Sequence, residues 1–391
     1  MHKTFVATCS IVALSTGVLN AGGWETGTLD TGFTFNDGTY AEFSTAKLNY
    51  SIGGKIDSGV THGMAKDQSR SAASAKFQVG KLHVGVTTFD TGAIQMDGQS
   101  AAADRSACYA NVGAMGAAVA AQNLVGQATA LSNMRLNCSL VPSADVKLNT
   151  NGILARYEFN DRTSIIGGLR QVKLSSSTVS TLKTNYTIEP ESDTGVVYGF
   201  AYEVPDIALK AEVIRSEAMT MPISGNASGG LVTTALPLSN STVGVPEALT
   251  IKFQTGIAEN TLLMASAHKV KWKASQITVD VAGDSFDVAS DFADTASYSL
   301  GLGRKFSENT SASISYSWEK GSGASSTSAF TMSNGSKTLS VGLKYQMEAL
   351  SASAGLSYTQ VGDVTSSSGG LSAVYSGNSV TAIGVKVGYT F

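Results

Sequence analysis

From residue 40 to the final Phe391, apolar side chains repeatedly alternate with small or polar ones. In the last segment Ile383, Val385, Val387, Tyr389 and Phe391 share one face, and Ala382, Gly384, Lys386, Gly388 and Thr390 share the other. Leu339, Val341, Leu343, Tyr345 and Met347 repeat the pattern, as do Leu350, Ala352, Ala354, Leu356 and Tyr358. A strand sends successive side chains to opposite faces, so a period of two predicts strands with one apolar and one polar face.

The length of these segments decides what kind of sheet they build. They run for about 9–14 residues, matching a tilted bilayer span and exceeding the ~5–6 residues usual in soluble sheets. Fourteen are predicted: 40–52, 69–79, 82–92, 146–158, 163–176, 194–204, 207–218, 247–257, 261–273, 296–306, 311–321, 337–347, 349–361 and 379–391. Their connections alternate between short turns and long loops, and an even strand count is what bacterial barrels prefer. In hydrocarbon a sheet needs every backbone group paired, which requires closure. Tyr40, Tyr50, Tyr202, Trp272, Tyr298, Trp318, Tyr358 and Tyr389 fall near strand ends, where interfacial aromatic girdles lie. The expected fold is therefore all-β: a transmembrane antiparallel barrel, with its termini and short turns in the periplasm.

Composition agrees with this class and removes others. Charged residues are 15% of the chain, and the net charge of −3 provides no field for nucleic acid. Residues 1–21 read as a secretory signal: His2 and Lys3, an apolar stretch from Phe5 to Leu19, then Ala21 before Gly22-Gly23. Residues 22–38 are left as a short hatch-like segment and 39–391 as the barrel, with 93–145 as a long external loop. The strand ending at Phe391 is the expected handle for the outer-membrane barrel assembly machinery. Outer-membrane lipid and lipopolysaccharide are the expected surroundings.

Four segments resemble the FadL/TodX family of outer-membrane transporters of long-chain fatty acids and other hydrophobic compounds. They are GILARYEFNDRTSIIGGLR (152–170), YGFAYEVPDIALKAEV (198–213), LTIKFQTGIAENTLLMASAHKVKW (249–272) and YSLGLGRKFSENTSASISYSWEKG (298–321). GTYAEFS (38–44) and the closing AIGVKVGYTF fit the same family. The resemblance implies a 14-stranded barrel, an N-terminal hatch inside it, ligand capture by external loops and lateral release through the wall. It places the exit kink in the third strand, with Gly85 and Gly92 as candidates. This chain departs from the family in having only about 17 residues, Gly22 to Gly38, between the expected signal and its first strand, and no NPA hatch motif.

Three sets of residues bear on function. Cys108 and Cys138 are the cysteines that remain after signal removal, and in an exported protein the pair is expected to form one disulfide. Between them Val112, Met115, Val119, Leu124, Leu131 and Met134 recur at three-to-four spacing, predicting amphipathic helices. These either pack as a cap on the barrel rim or form an apolar groove for ligand. The third set is basic: Lys252, Lys269, Lys271, Lys344, Lys386, Arg156 and Arg304 are expected in the lumen, paired with acids such as Glu203 and Glu212 or holding a ligand head group. Lys269, Lys271 and Lys273 form the best cluster for an anion.

No HExxH, P-loop or G-x-S-x-G pattern occurs, so neither an enzyme nor a cofactor is expected. The predicted function is passive passage of long-chain fatty acids or other hydrophobic molecules across the outer membrane. A water-filled porin and a surface adhesin are the alternatives.

Overall fold

Fourteen strands hydrogen-bond in chain order and close on themselves in the structure, a computed structural model. It describes residues 28–56, 59–61, 63–97, 112, 143–181, 184–229, 232–281, 284–323, 325–328, 330–368 and 371–391. The wall is β1 (Tyr40–Ser51), β2 (Gln68–Val79), β3 (Leu82–Met96), β4 (Ser143–Asn160), β5 (Thr163–Leu174), β6 (Glu191–Val204) and β7 (Leu209–Ser216). It continues as β8 (Ala248–Ala258), β9 (Thr261–Val270), β10 (Thr295–Lys305), β11 (Thr310–Glu319), β12 (Ser336–Met347), β13 (Leu350–Val361) and β14 (Ser379–Thr390). Closure comes from β14 pairing with β1, from Tyr40↔Thr390 to Ser51↔Ser379.

The alternation read from the sequence sorts side chains to the two faces of this wall. Leu339, Val341, Leu343, Tyr345 and Met347 point outward and are exposed, as are Phe77, Val86, Ile153, Phe200 and Leu356. So large an exposed apolar surface is stable only against lipid tails. The outward aromatics include Tyr202, Tyr298, Trp318, Tyr358 and Tyr389, and Tyr298 stacks on Trp318 at 5.6 Å. Three expected girdle residues do not belong there. Tyr40 and Tyr50 fall on inward positions and are buried, and Trp272 is fully buried in a turn beyond β9.

At the short-turn end, Gly80-Lys81 links β2 to β3 and Asn260 (φ 56°) turns β8 into β9. The other end is more ordered than loops alone predict. Its connections are themselves β structure, including Ser177–Ser180 with Asn185–Ile188, Met219–Pro222 with Val232–Val245, and Ile277–Val281 with Asp284–Ala289. The helices expected between Cys108 and Cys138 lie outside the described residues, except Val112, which is fully buried in an apolar cluster.

Residues 28–38 run inside the barrel rather than outside it. A 3-10 turn, Gly32–Phe35, carries Phe33 into an apolar cluster with Tyr40, Leu154, Ile166, Val197 and Ile214. Charges on the inner wall hold the rest. Lys252 Nζ contacts Asp30 Oδ1 at 3.1 Å, and Arg156 Nε donates to the Thr34 carbonyl at 3.1 Å. Thr31 Oγ1 donates to Glu212, and the Phe35 ring lies beneath Lys210 (3.6 Å) and Arg156 (4.4 Å). Cation–ring contacts of this kind gain strength from desolvation. Arg156 also pairs with Glu158 (2.8 Å) and Glu203 (3.8 Å), and Lys386 with Glu42 (2.8 Å). The segment and its ion pairs form a charged floor across the lower lumen.

Two measurements follow. Leu343→Arg places a charge on the lipid face and should cost about 2–4 kcal/mol of folding stability in bilayers. Ser340→Arg, on the inward face of the same strand, should cost a small fraction of that; equal losses would contradict the assigned faces. The second concerns Asp30. Burial opposes its charge, but Lys252, Lys386 and the Gly32 N–H outweigh that and hold its carboxyl well below the usual carboxylate range. A lowered folded-state pKa contributes stability at neutral pH and loses it only as pH falls through that low value. Ion current through the wild-type barrel in planar bilayers should therefore stay low from about pH 8 to about pH 4. Asp30→Asn should raise it several-fold at neutral pH.

Candidate functional site

β3 starts as an ordinary wall strand and ends as something else. Its ladder with β2 runs from Val79↔Leu82 only to Ala72↔Phe89, whereas its ladder with β4 continues to Met96↔Ala144. Between Asp90 and Gly92 the β4 register shifts, with Thr91 as the extra residue. A one-residue bulge bends a strand and reverses which face each later residue takes. Below it the even-numbered Val86 and Thr88 are exposed on the outer face; above it Ile94 and Met96 pair opposite the buried Val146 and Ala144 and are themselves buried. Thr91 is held by a hydroxyl contact to Thr150.

As β3 bends away, the hydrogen-bond ladder lapses between Asp67–Ser71 and Asp90–Ile94, leaving a window in the paired wall. Its upper edge is closed by Lys66 N–H to Gln95 O (3.2 Å) and Asp97 N–H to Met64 O (2.9 Å). Three side chains replace ladder bonds around the opening. Asp90 Oδ2 accepts from Ser71 N–H at 2.7 Å and from Ser71 Oγ at 3.2 Å. Asn149 Nδ2 donates to Phe89 O at 2.9 Å, and Asp67 Oδ1 accepts from Tyr50 N–H at 2.9 Å. An uncapped backbone group at that edge would cost about 1–3 kcal/mol, so the interruption is built in.

Above the charged floor lies an apolar pocket that is open on one side. Its walls are Ile94, Val146 and Leu174 from the barrel, with Val179, Tyr186, Ile188, Val243 and Val279 from loop-end strands and Phe292 and Phe330 from the connections beside them. Ser290 and Ser328 are the polar residues of the lining. The far wall is braced by Gln276, whose Nε2 donates to Trp272 O (2.8 Å) and Phe292 O (3.0 Å), and by the edge-on Trp272–Phe292 contact at 5.3 Å. Ile94 belongs both to this lining and to the frame of the window.

The expected site residues divide accordingly. Gly92 follows the extra residue of the bulge. Gly85 sits in an unbroken ladder opposite Lys76 and Leu154, and a Cβ there would overlap the Phe33 ring, so this glycine makes room for the plug. Lys252, Lys344, Lys386 and Arg156 fall on inward positions, in keeping with the exposed apolar residues flanking each of them. Lys269, Lys271 and Arg304 do not line the lumen. Lys269 shares a face with Ala267 and Ala265, opposite the outward Ile251 and Phe253, and Lys271 follows in the same phase at the exposed loop-end rim. Arg304 shares its face with the exposed Leu300 and Leu302. Lys271 is held at 2.9 Å by Glu247, which also takes Arg215 at 2.9 Å. The hydrogen bond from Lys271 and the charge of Arg215, against opposing desolvation, hold the Glu247 carboxyl below its usual range. Cys108, Cys138, Met115, Val119, Leu124, Leu131 and Met134 lie outside the described residues.

The pocket residues were not singled out from sequence. Tyr186 with Ile188, and Ile277 with Val279 and Val281, do alternate with polar neighbours, but over only four or five residues.

No family model matches the chain, and no curated protein matches it in sequence. Among solved structures, the Pseudomonas putida toluene transporter TodX superposes with a TM-score of 0.61 at 12% identity, covering 95% of this chain and 96% of that one. The Ralstonia pickettii toluene transporter TbuX gives 0.59 at 9% identity, covering 91% and 90%. The CymD monoaromatic hydrocarbon channel gives 0.55 at 11%, covering 92% and 90%. At such identities the likeness is one of fold: over nearly its whole length, this chain has the barrel architecture of these channels.

Proposed function

We propose that the protein is a passive outer-membrane channel for uncharged hydrophobic small molecules, with monoaromatic hydrocarbons as the best-fitting class. One observation carries this reading: an almost wholly apolar pocket sits between a charged floor and a gap in the wall. The described lining has no basic side chain for a carboxylate, which favours hydrocarbons over the fatty acids expected first. The names of the TodX, TbuX and CymD structures, which describe toluene or monoaromatic transport, support the same class.

In this mechanism a hydrophobic molecule leaves water for the pocket, and each CH₂ buried contributes about 0.8 kcal/mol. Moving straight down would take it into the ion-paired layer of Asp30, Arg156, Lys252, Glu212 and Lys386, which excludes apolar solutes and obstructs bulk ion flow. The route of lower cost runs past Ile94 and sideways through the window into lipid. Residues 28–38 act as the plug, and transport requires no bond to form or break.

The test is uptake of radiolabelled toluene and oleate by cells with and without the protein, together with Val279→Asp, which puts a carboxylate into the pocket. Toluene uptake should fall to the deletion level in the variant. Toluene affinity of the purified protein should weaken at least about tenfold, or about 1.4 kcal/mol. Undiminished toluene uptake on deletion would refute the reading.

A further inference from the structure

Lys269 faces outward, so an anion it attracts lies outside the barrel. It continues the outward phase of Ala265 and Ala267 at the loop end of β9. Two more exposed lysines stand on the same side. Lys337 opens β12 in the outward phase of Leu339 and Val341, and Lys320 follows β11 in the phase of Tyr316 and Trp318. The ladders bring the three together. Lys269 pairs with Ala296, and Lys320, one residue past Ser297↔Glu319, falls across from that same alanine. Lys337 pairs with Trp318. With ~4.8 Å between neighbouring strands, the Cα atoms of Lys269 and Lys320 are about 10 Å apart. Lys320 and Lys337 are diagonal neighbours at ~7–8 Å.

The side chains between and below them are aromatic. Trp318 stacks on Tyr298 at 5.6 Å and on Tyr316 at 5.9 Å. Such rings mark the level where hydrocarbon gives way to head groups. Lysine stems lie along apolar surface of this kind while their ammonium groups reach the polar layer. Other outward cations at the loop-end rim are balanced or single. Arg215 and Lys271 share Glu247, each at 2.9 Å, and Lys147, beside Lys173, lies 3.6 Å from Asp145. Lys47 stands between Ser69 and Ile383. By contrast, Lys269, Lys320 and Lys337 have no ion pair among the described residues. Asp294 borders them, but it is one carboxylate against three ammonium groups, and its Oδ1 accepts the Lys273 N–H at 2.9 Å. Cations within a Debye length of ~10 Å repel one another, so the trio is incomplete without an anion.

We propose that this outward trio binds the phosphate groups of lipopolysaccharide. The long-loop end of a bacterial barrel is the extracellular one, so the head groups at this level belong to the outer leaflet. A glycolipid with several phosphates on one head group meets three cations spread over two or three strands; a diacyl lipid with a single phosphate does not. The proposal goes beyond the transport reading and rests only on the outward belt facing lipid.

Native mass spectrometry of the full-length protein in mild detergent tests it without any transported ligand. The protein would be offered deep-rough lipopolysaccharide, the same glycolipid stripped of its phosphates, or phosphatidylglycerol. The phosphorylated glycolipid should bind at least about tenfold more tightly than either of the others. A lysine near an anionic lipid surface contributes about fivefold in affinity, so Lys269→Gln, Lys320→Gln and Lys337→Gln should each weaken binding by about that factor. The three together should weaken it more than about tenfold, and arginine at all three positions should preserve it. The triple change Lys47→Gln/Lys147→Gln/Lys173→Gln removes the same charge elsewhere on the rim and should leave binding nearly unchanged. Wild-type affinity in the first glutamine triple, an equal loss in the second, or equally tight binding of phosphatidylglycerol would each overturn the proposal.

Discussion

A sheet in hydrocarbon must pair every backbone N–H and C=O, because no water is present to take their place. In this barrel thirteen of the fourteen strand-to-strand seams run as ladders through the lipid-facing wall, interrupted at most by local register shifts. The seam between β2 and β3 does not. Thr91 bends β3 inward; Asp90 takes up the Ser71 N–H across the gap, while Asn149 and Asp67 take up the Phe89 carbonyl and the Tyr50 N–H on the two neighbouring seams. The same bulge that opens the wall reverses the phase of β3 and turns Ile94 into the pocket. The gap in the ladder and one wall of the pocket thus arise from one extra residue.

The lumen below is organised by charge. Asp30, Arg156, Glu158, Glu203, Glu212, Lys252 and Lys386 form linked ion pairs from several sides of the barrel around a short N-terminal segment. Such pairs contribute modestly to stability once desolvation is counted. They also set a layer of paired charges beneath the apolar pocket. Phe33 and Phe35 of this segment pack against inward wall residues, while the wall supplies most of the charges.

The wall was legible in sequence because period-two alternation over ten or more residues has no competing explanation. The predicted ends of β1, β2, β11, β12, β13 and β14 agree with the structure to within about two residues, the usual boundary uncertainty. β3 runs on to Met96, beyond the predicted end at 92, because the bulge at Thr91 interrupts its period of two. Parity explains the misplaced residues. Tyr40 and Tyr50 lie near strand ends but on even positions of β1, whose odd positions face lipid, and Lys269 shares the outward phase of Ala267. The pocket was least legible, since its walls join strands and turns from six separate stretches of sequence. Only tertiary contact makes Val179, Val243, Val279 and Phe330 neighbours.

Bridging the window while leaving the pocket and floor intact tests this account most directly. In the double variant Ser69→Cys/Gly92→Cys, a short bis-maleimide would span the gap from β2 to β3. Toluene uptake by cells should drop to that of cells lacking the protein, while the purified bridged protein still binds toluene. Uptake that continues at the wild-type rate with the gap bridged would show that the molecule leaves by another path.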